Sequence, residues 1–84
     1  MSLRVEIVTP TAIAFQGEAD QVQAPGFLGE FGVLPHHEMM VALTRPGQVT
    51  LHNGGSKTTF IVGTGFAEVG ADHVTLLVDS CEAA

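Results

Sequence analysis

The sequence predicts an all-β domain, specifically a small sandwich of short antiparallel strands. Apolar and polar residues alternate with a period of two in several stretches, most clearly in Leu3–Ile7 and Val74–Val78. This period is typical of half-buried strands. Turn-forming residues recur about every eight to twelve residues, as in proteins whose short strands are joined by tight turns. The 84 residues contain no interdomain linker and form one domain, residues 1–84.

The first predicted strand covers Leu3–Ile7 and ends at the turn signal Thr9-Pro10. Further turn signals follow at Gln16-Gly17 and Pro25-Gly26. The segment Gly29–His37 interrupts a short apolar run with glycine and proline, which predicts a sharply folded loop.

The first predicted hairpin has its turn at Asn53–Ser56. Asparagine and glycine tolerate positive φ, so this turn is expected to connect strands at Gln48–His52 and Lys57–Val62. In the former strand, Val49 and Leu51 alternate with polar neighbours.

A second hairpin is predicted with its turn at Gly70–Asp72, between strands at Phe66–Val69 and His73–Val78. Helical periodicity is hard to find in the chain, and only Glu82–Ala84 could begin a helix.

The net charge of −6 argues against binding to nucleic acid or, unaided, to anionic lipid, whereas basic protein partners fit it. Apolar runs such as Met39–Leu43 are too short to span a bilayer. Hydrophobic residues make up 45% and charged residues 14% of the chain, so two readings stay open: a partner covers apolar surface, or single apolar residues are scattered over an ordinary surface.

No catalytic, metal or cofactor site is predicted. His36, His37 and Glu38 could ligate zinc by residue type, but adjacent residues of an extended segment point to opposite faces. Cys81 has no candidate base nearby in the pattern, and Gly63–Gly65 lacks the lysine and helix of a phosphate-binding loop.

Several motifs recur in the order and spacing of a known family. They are Val8-Thr9-Pro10, Phe15 with Gly17-Glu18-Ala19, Ala24-Pro25-Gly26, Gly29–Pro35 followed by histidine, Arg45-Pro46-Gly47, Gly65–Val69 and Val74–Asp79. With these motifs the chain resembles the N-terminal β-sandwich domain of the epsilon subunit of F-type ATP synthases, called delta in mitochondria.

The resemblance implies a noncatalytic rotor subunit of the central stalk. Such a subunit couples proton-driven rotation of the c-ring to the gamma subunit and ATP synthesis. It lies peripherally, at the cytoplasmic face of the bacterial inner membrane or an equivalent membrane. In the family a C-terminal helical hairpin follows the sandwich, and this hairpin is absent from the 84-residue sequence.

The resemblance also implies two interfaces. Thr9, His37 and Ala42 match positions that face gamma, although His36 stands where the family usually has glycine. The alternatives are that Thr9 only shapes the turn before Pro10 and that Ala42 only packs within its strand. Glu30 matches a glutamate that faces basic loops of the c-ring, where a carboxylate can form charge-assisted hydrogen bonds with arginine. The apolar anchors expected beside it are Phe27, Leu28 and Phe31, with the alternative that one or more of them belong to the core.

Two other functions remain as alternatives. A small β-sandwich module for ligands or carbohydrate would need an exposed aromatic platform, but the chain has neither tryptophan nor tyrosine. A small metallohydrolase would need clustered ligands, which the histidine spacing does not provide.

Overall fold

The structure is a computed structural model and describes residues 2–84. Its regular elements are β1 (Leu3–Val8), β2 (Ile13–Ala19), β3 (Gln21–Gly26), β4 (Gly29–Val33), β5 (Met40–Thr44), β6 (Gly47–Asn53), β7 (Ser56–Val62), β8 (Gly65–Val69), β9 (His73–Val78) and β10 (Cys81–Ala83). The all-β prediction is confirmed, as are both predicted hairpins, β6–β7 and β8–β9.

No helix begins at Glu82–Ala84, the one place where the sequence allowed one. Residues Cys81–Ala83 form β10, which pairs antiparallel with β7. The backbone N–H of Ala84 also donates to the carbonyl of Thr59 at 3.0 Å. Pairing with the free edge of β7 satisfies the backbone groups of this segment, as a strand rather than a helix.

The strands follow the hydrogen-bonded order β10-β7-β6-β3-β5-β8-β9-β1-β2, with β4 paired to β3 off this path. The path folds back on itself, because Phe15 of β2 and Phe60 of β7, near its opposite ends, have ring centroids 5.4 Å apart. The result is two five-stranded layers: β5-β8-β9-β1-β2 and β4-β3-β6-β7-β10. A single β3–β5 pairing, Gly26 opposite Thr44, joins them.

The core lies between the layers and comes from the alternating positions of the sequence pattern. Its fully buried side chains include Val5, Ile7, Val49 and Leu76. Each such side chain contributes roughly 1.5–3 kcal/mol of stability by leaving water.

Within residues 2–84 the strand pairings are antiparallel with one exception, that between β1 and β9. These two strands run parallel in the middle of the first layer, with Val5 opposite Val74 and Ile7 opposite Leu76. Burial of the alternating valine, isoleucine and leucine side chains holds both strands in this register.

Candidate functional site

The segment Gly29–His37, predicted as a sharply folded loop, is instead one strand of a hairpin followed by a loop. Its first five residues form β4, which pairs with β3 across the two-residue turn Phe27-Leu28. Gly29 has φ +136°, a conformation that side chains rarely adopt, and this closes the turn. Phe27 is 64% exposed and Leu28 fully exposed, so the tip of the hairpin presents two apolar side chains to solvent.

The other two residues predicted to face the c-ring, Glu30 and Phe31, lie on β4 and not on a loop. Glu30 is exposed opposite Pro25, whereas Phe31 is half-buried opposite Ala24 and packs against the core. The structure therefore brings all four residues to one hairpin end but turns Phe31 inward. The sequence left open that one or more of the three apolar residues belong to the core, and Phe31 does so because the alternation of β4 continues through its glycines.

The hairpin tip is fixed to β5 by backbone hydrogen bonds. The N–H of Phe27 donates to the carbonyl of Leu43 at 2.9 Å, and the N–H of Arg45 donates to the carbonyl of Pro25 at 2.9 Å. A groove of about 520 Å³ lies between the tip and β5. Its lining comprises residues 26–31 and 40–43.

Ala42, one of the three residues predicted to face gamma, lines this groove. It is half-buried on β5 opposite the buried Ala67, while its neighbours Val41 and Leu43 are 68% and 64% exposed. The outward-facing side chains of β5 are therefore those beside Ala42.

Thr9 and His37 lie at opposite ends of the same layer. Thr9 follows β1 in a tight turn, with its N–H and hydroxyl donating to the carbonyl of Ala12 at 2.9 and 3.2 Å. His37 lies in the β4–β5 loop, where its Nδ1 is 2.8 Å from the carbonyl oxygen of Glu38. The loop is tied to the β8–β9 turn by the N–H of His36, 2.6 Å from the carbonyl of Ala71. A partner touching both residues must extend along the strands.

The sequence did not reveal a continuous line of apolar side chains on the outer face of this layer. Leu43 pairs with Phe66, which pairs with Leu77, which pairs with Val8. Beyond the bulge in β1–β2, Val8 pairs with Ile13. We call these five residues, one from each strand, the apolar row. Val8 is half-buried, and the other four members are 36–64% exposed.

Comparison with known protein families shows which family this sandwich belongs to. Residues 2–84 match the family described as the ATP synthase delta/epsilon chain, β-sandwich domain. The chain belongs to this family. Two relatives named ATP synthase epsilon chain, from Rhodopseudomonas palustris (strain BisA53) and Nitrobacter winogradskyi, are 45% and 46% identical over 74 residues. The match covers 88% of this chain and 55% of each relative, so the chain spans about half the length of the curated relatives it matches.

Solved structures show the same fold. A chain in the Euglena gracilis mitochondrial ATP synthase structure superposes with a TM-score of 0.91 at 22% identity, covering 98% of this chain and 53% of that one. A chain in the central stalk and c-ring structure of the Tetrahymena thermophila mitochondrial ATP synthase gives 0.78 at 14% identity, covering 98% and 66%.

In this delta/epsilon-family sandwich, the described residues 2–84 contain no cluster of three or more groups that could hold a metal ion. None of the elements in that range is a helix long and apolar enough to cross a membrane. Burial raises the pKa of the Cys81 thiol above its usual range, and the negative charge of Glu82 raises it further. A higher thiol pKa lowers the thiolate fraction and hence the nucleophilicity of this cysteine at neutral pH.

Proposed function

We propose that this delta/epsilon-family sandwich is a noncatalytic part of the central stalk of an F-type ATP synthase. It binds the gamma subunit through the β5-β8-β9-β1-β2 layer and the c-ring through the β3–β4 hairpin tip. Proton-driven rotation of the ring then turns gamma through this domain. Support comes from the relatives' name, ATP synthase epsilon chain, and from neighbours of the same fold in structures described as F1 with c-ring or as central stalk with c-ring.

The observation that carries the proposal is the hairpin tip. Phe27 and Leu28 present exposed apolar surface, and the Glu30 carboxylate is exposed on the adjoining strand. Apolar anchors beside an acid suit a partner loop with apolar and basic side chains, because the acid gives orientation as well as attraction. The tip is hydrogen-bonded to the strand that contains Ala42, so the two proposed interfaces belong to one rigid unit.

Within the synthase the domain lies peripherally at the coupling membrane. In a bacterium this is the cytoplasmic face of the inner membrane. The net charge of −6 is consistent with attachment through protein contacts rather than through anionic lipid.

The test is complex formation with the cognate gamma subunit, measured by gel filtration at micromolar concentration. A one-to-one complex is expected, because Thr9, His37 and Ala42 all lie in residues 2–84. A full-length relative such as the Rhodopseudomonas palustris epsilon chain, mixed with its own gamma, is the positive control. Separate elution of this chain and gamma, with both proteins folded, would contradict the proposal.

A further inference from the structure

The apolar row lies on the outer face of a hydrogen-bonded layer. Adjacent strands are about 4.8 Å apart, so five aligned side chains extend on the order of 19 Å across the layer. Leu43, Phe66 and Leu77 are 64%, 40% and 36% exposed. Val8, Phe66 and Leu77 also line a shallow depression of about 320 Å³ beside Thr9.

Acidic side chains lie directly beside the row. Glu68 and Glu6 are two residues from Phe66 and Val8 along their strands, which places them on the same outer face. Thr75 lies between them in the pairing, opposite both. Glu6 accepts a hydrogen bond from Gln16 at 2.8 Å, and neither acid forms an ion pair with any of residues 2–84.

From this geometry we infer that the apolar row is the docking surface for gamma, and that Glu6 and Glu68 select a gamma surface with lysine or arginine beside its apolar ridge. The inference rests on the proposed function. The row connects two residues expected to face gamma, since Val8 precedes Thr9 and Leu43 follows Ala42. Neither acid and no member of the row, however, belongs to the set that the sequence predicted.

The negative charges of Glu6 and Glu68 also favour gamma over other molecules that could dock on the apolar row. A second copy docking face to face would bring Glu6 and Glu68 against the same acids, and like charges across an interface are unfavourable. An anionic lipid surface is disfavoured for the same reason. A basic flank on gamma would instead supply counter-charges for Glu6 and Glu68, neither of which forms an ion pair within residues 2–84.

The experiment measures the dissociation constant of the chain for cognate gamma by calorimetry at two salt concentrations. Leu77→Asp is compared with Ile61→Asp, since Ile61 is 49% exposed but lies on β7 of the other layer. Glu68→Lys is compared with Glu82→Lys, an exposed acid on β10. Thermal melts verify folding, and Ile13→Asp, at a position 58% exposed, replaces Leu77→Asp if that variant unfolds.

The row variant is expected to weaken binding by about tenfold or more, because it places a charge within a desolvated apolar contact. Glu68→Lys should weaken binding several-fold at low salt and less at high salt. Both control variants should bind as the wild type does. The inference is overturned if the wild type binds gamma and both the folded row variant, Leu77→Asp or Ile13→Asp, and Glu68→Lys bind it with the same affinity. The proposed function would still stand in that case. Failure of the wild type itself to bind gamma contradicts both.

Discussion

The backbone N–H of Phe27 lies 2.9 Å from the carbonyl oxygen of Leu43 and donates a hydrogen bond to it. Phe27 forms the exposed hairpin tip, and Leu43 begins the apolar row. Together with the bond from Arg45 to Pro25, this contact holds the tip on the layer. Displacement of the tip relative to β5 would break two backbone hydrogen bonds, so a force applied at Phe27 is transmitted to β5 directly.

Replacing Glu30 with arginine should weaken binding to the c-ring and leave the fold intact. Glu30 is exposed, so its charge contributes little to the core but would repel basic ring loops after reversal. The measurement is cosedimentation with detergent-solubilised cognate ring, beside circular dichroism. Glu82→Arg, at the opposite edge of the same layer, is the control and should bind normally. A steep fall in melting temperature, with ring binding retained in the folded fraction, would show that Glu30 is structural.

Gly26→Ala should destabilise the domain by about 1–3 kcal/mol, the usual effect of overpacking. A Cβ at Gly26 would lie 2.5 Å from the backbone oxygen of Gly29 and 2.9 Å from the Phe31 ring. Gly32→Ala is the matched control, since its Cβ would approach only Gln21 Nε2, at 3.5 Å. Urea unfolding of both variants checks this. Equal midpoints would show that the hairpin tip relaxes around the added methyl group.

His36→Gly should raise the melting temperature. His36 has φ 68°, and it is the one non-glycine residue with positive φ in the described range 2–84. Glycine removes a left-handed conformational cost of about 1–2 kcal/mol, partly offset by greater entropy of the unfolded chain. Scanning calorimetry should show a rise of several degrees, whereas His37→Gly should give none. An unchanged or lower value for His36→Gly would mean that the imidazole stabilises the loop.

Alkylation of Cys81 should require a higher pH than alkylation of an ordinary cysteine. Burial, and to a lesser degree Glu82, raises the thiol pKa in the folded state. Glu82→Gln should therefore lower the pH midpoint of the iodoacetamide rate, though not fully, because burial remains. A midpoint in the folded protein equal to that in urea would contradict the effect.

The same pKa shift has a consequence for stability, since the folded state favours the protonated thiol. Its contribution is complete below the pKa of the unfolded thiol and is lost as pH rises through the folded value. Urea unfolding across this alkaline range should show a shallower decline for Cys81→Ser than for the wild type. Parallel declines would mean that other groups account for the pH dependence.

Local signals were sufficient to predict the hairpins. Asn53–Ser56 predicted the β6–β7 turn because glycine adopts positive φ without cost, and Gly54 and Gly55 have φ of 57° and 91°. Alternation predicted which residues of β1 and β9 are buried. Both features depend only on neighbours within a few positions of the chain.

Features that depend on pairing between distant strands could not be predicted from local patterns. The apolar row exists only because β5, β8, β9, β1 and β2 align in one register, which no single stretch of sequence specifies. β10 is a strand because an edge of β7 is available to it. The alignment of Ala42 with Ala67 similarly comes from the β5–β8 register. The predicted contacts of Thr9, His37 and Ala42 with gamma remain predictions.

The parallel pairing of β1 with β9 constrains how the chain reaches this fold. β1 is synthesised before its partner residues His73–Leu77 on β9, with seven other strands between them, so the interior of the first layer closes only after β9 has been made. Until then, β1 exposes a short apolar face formed by the side chains of Leu3, Val5 and Ile7. Closure of so long a loop is entropically costly and slow, which favours a late, cooperative folding step. A nascent chain stalled before β9 would therefore be a good substrate for chaperones that hold exposed strands.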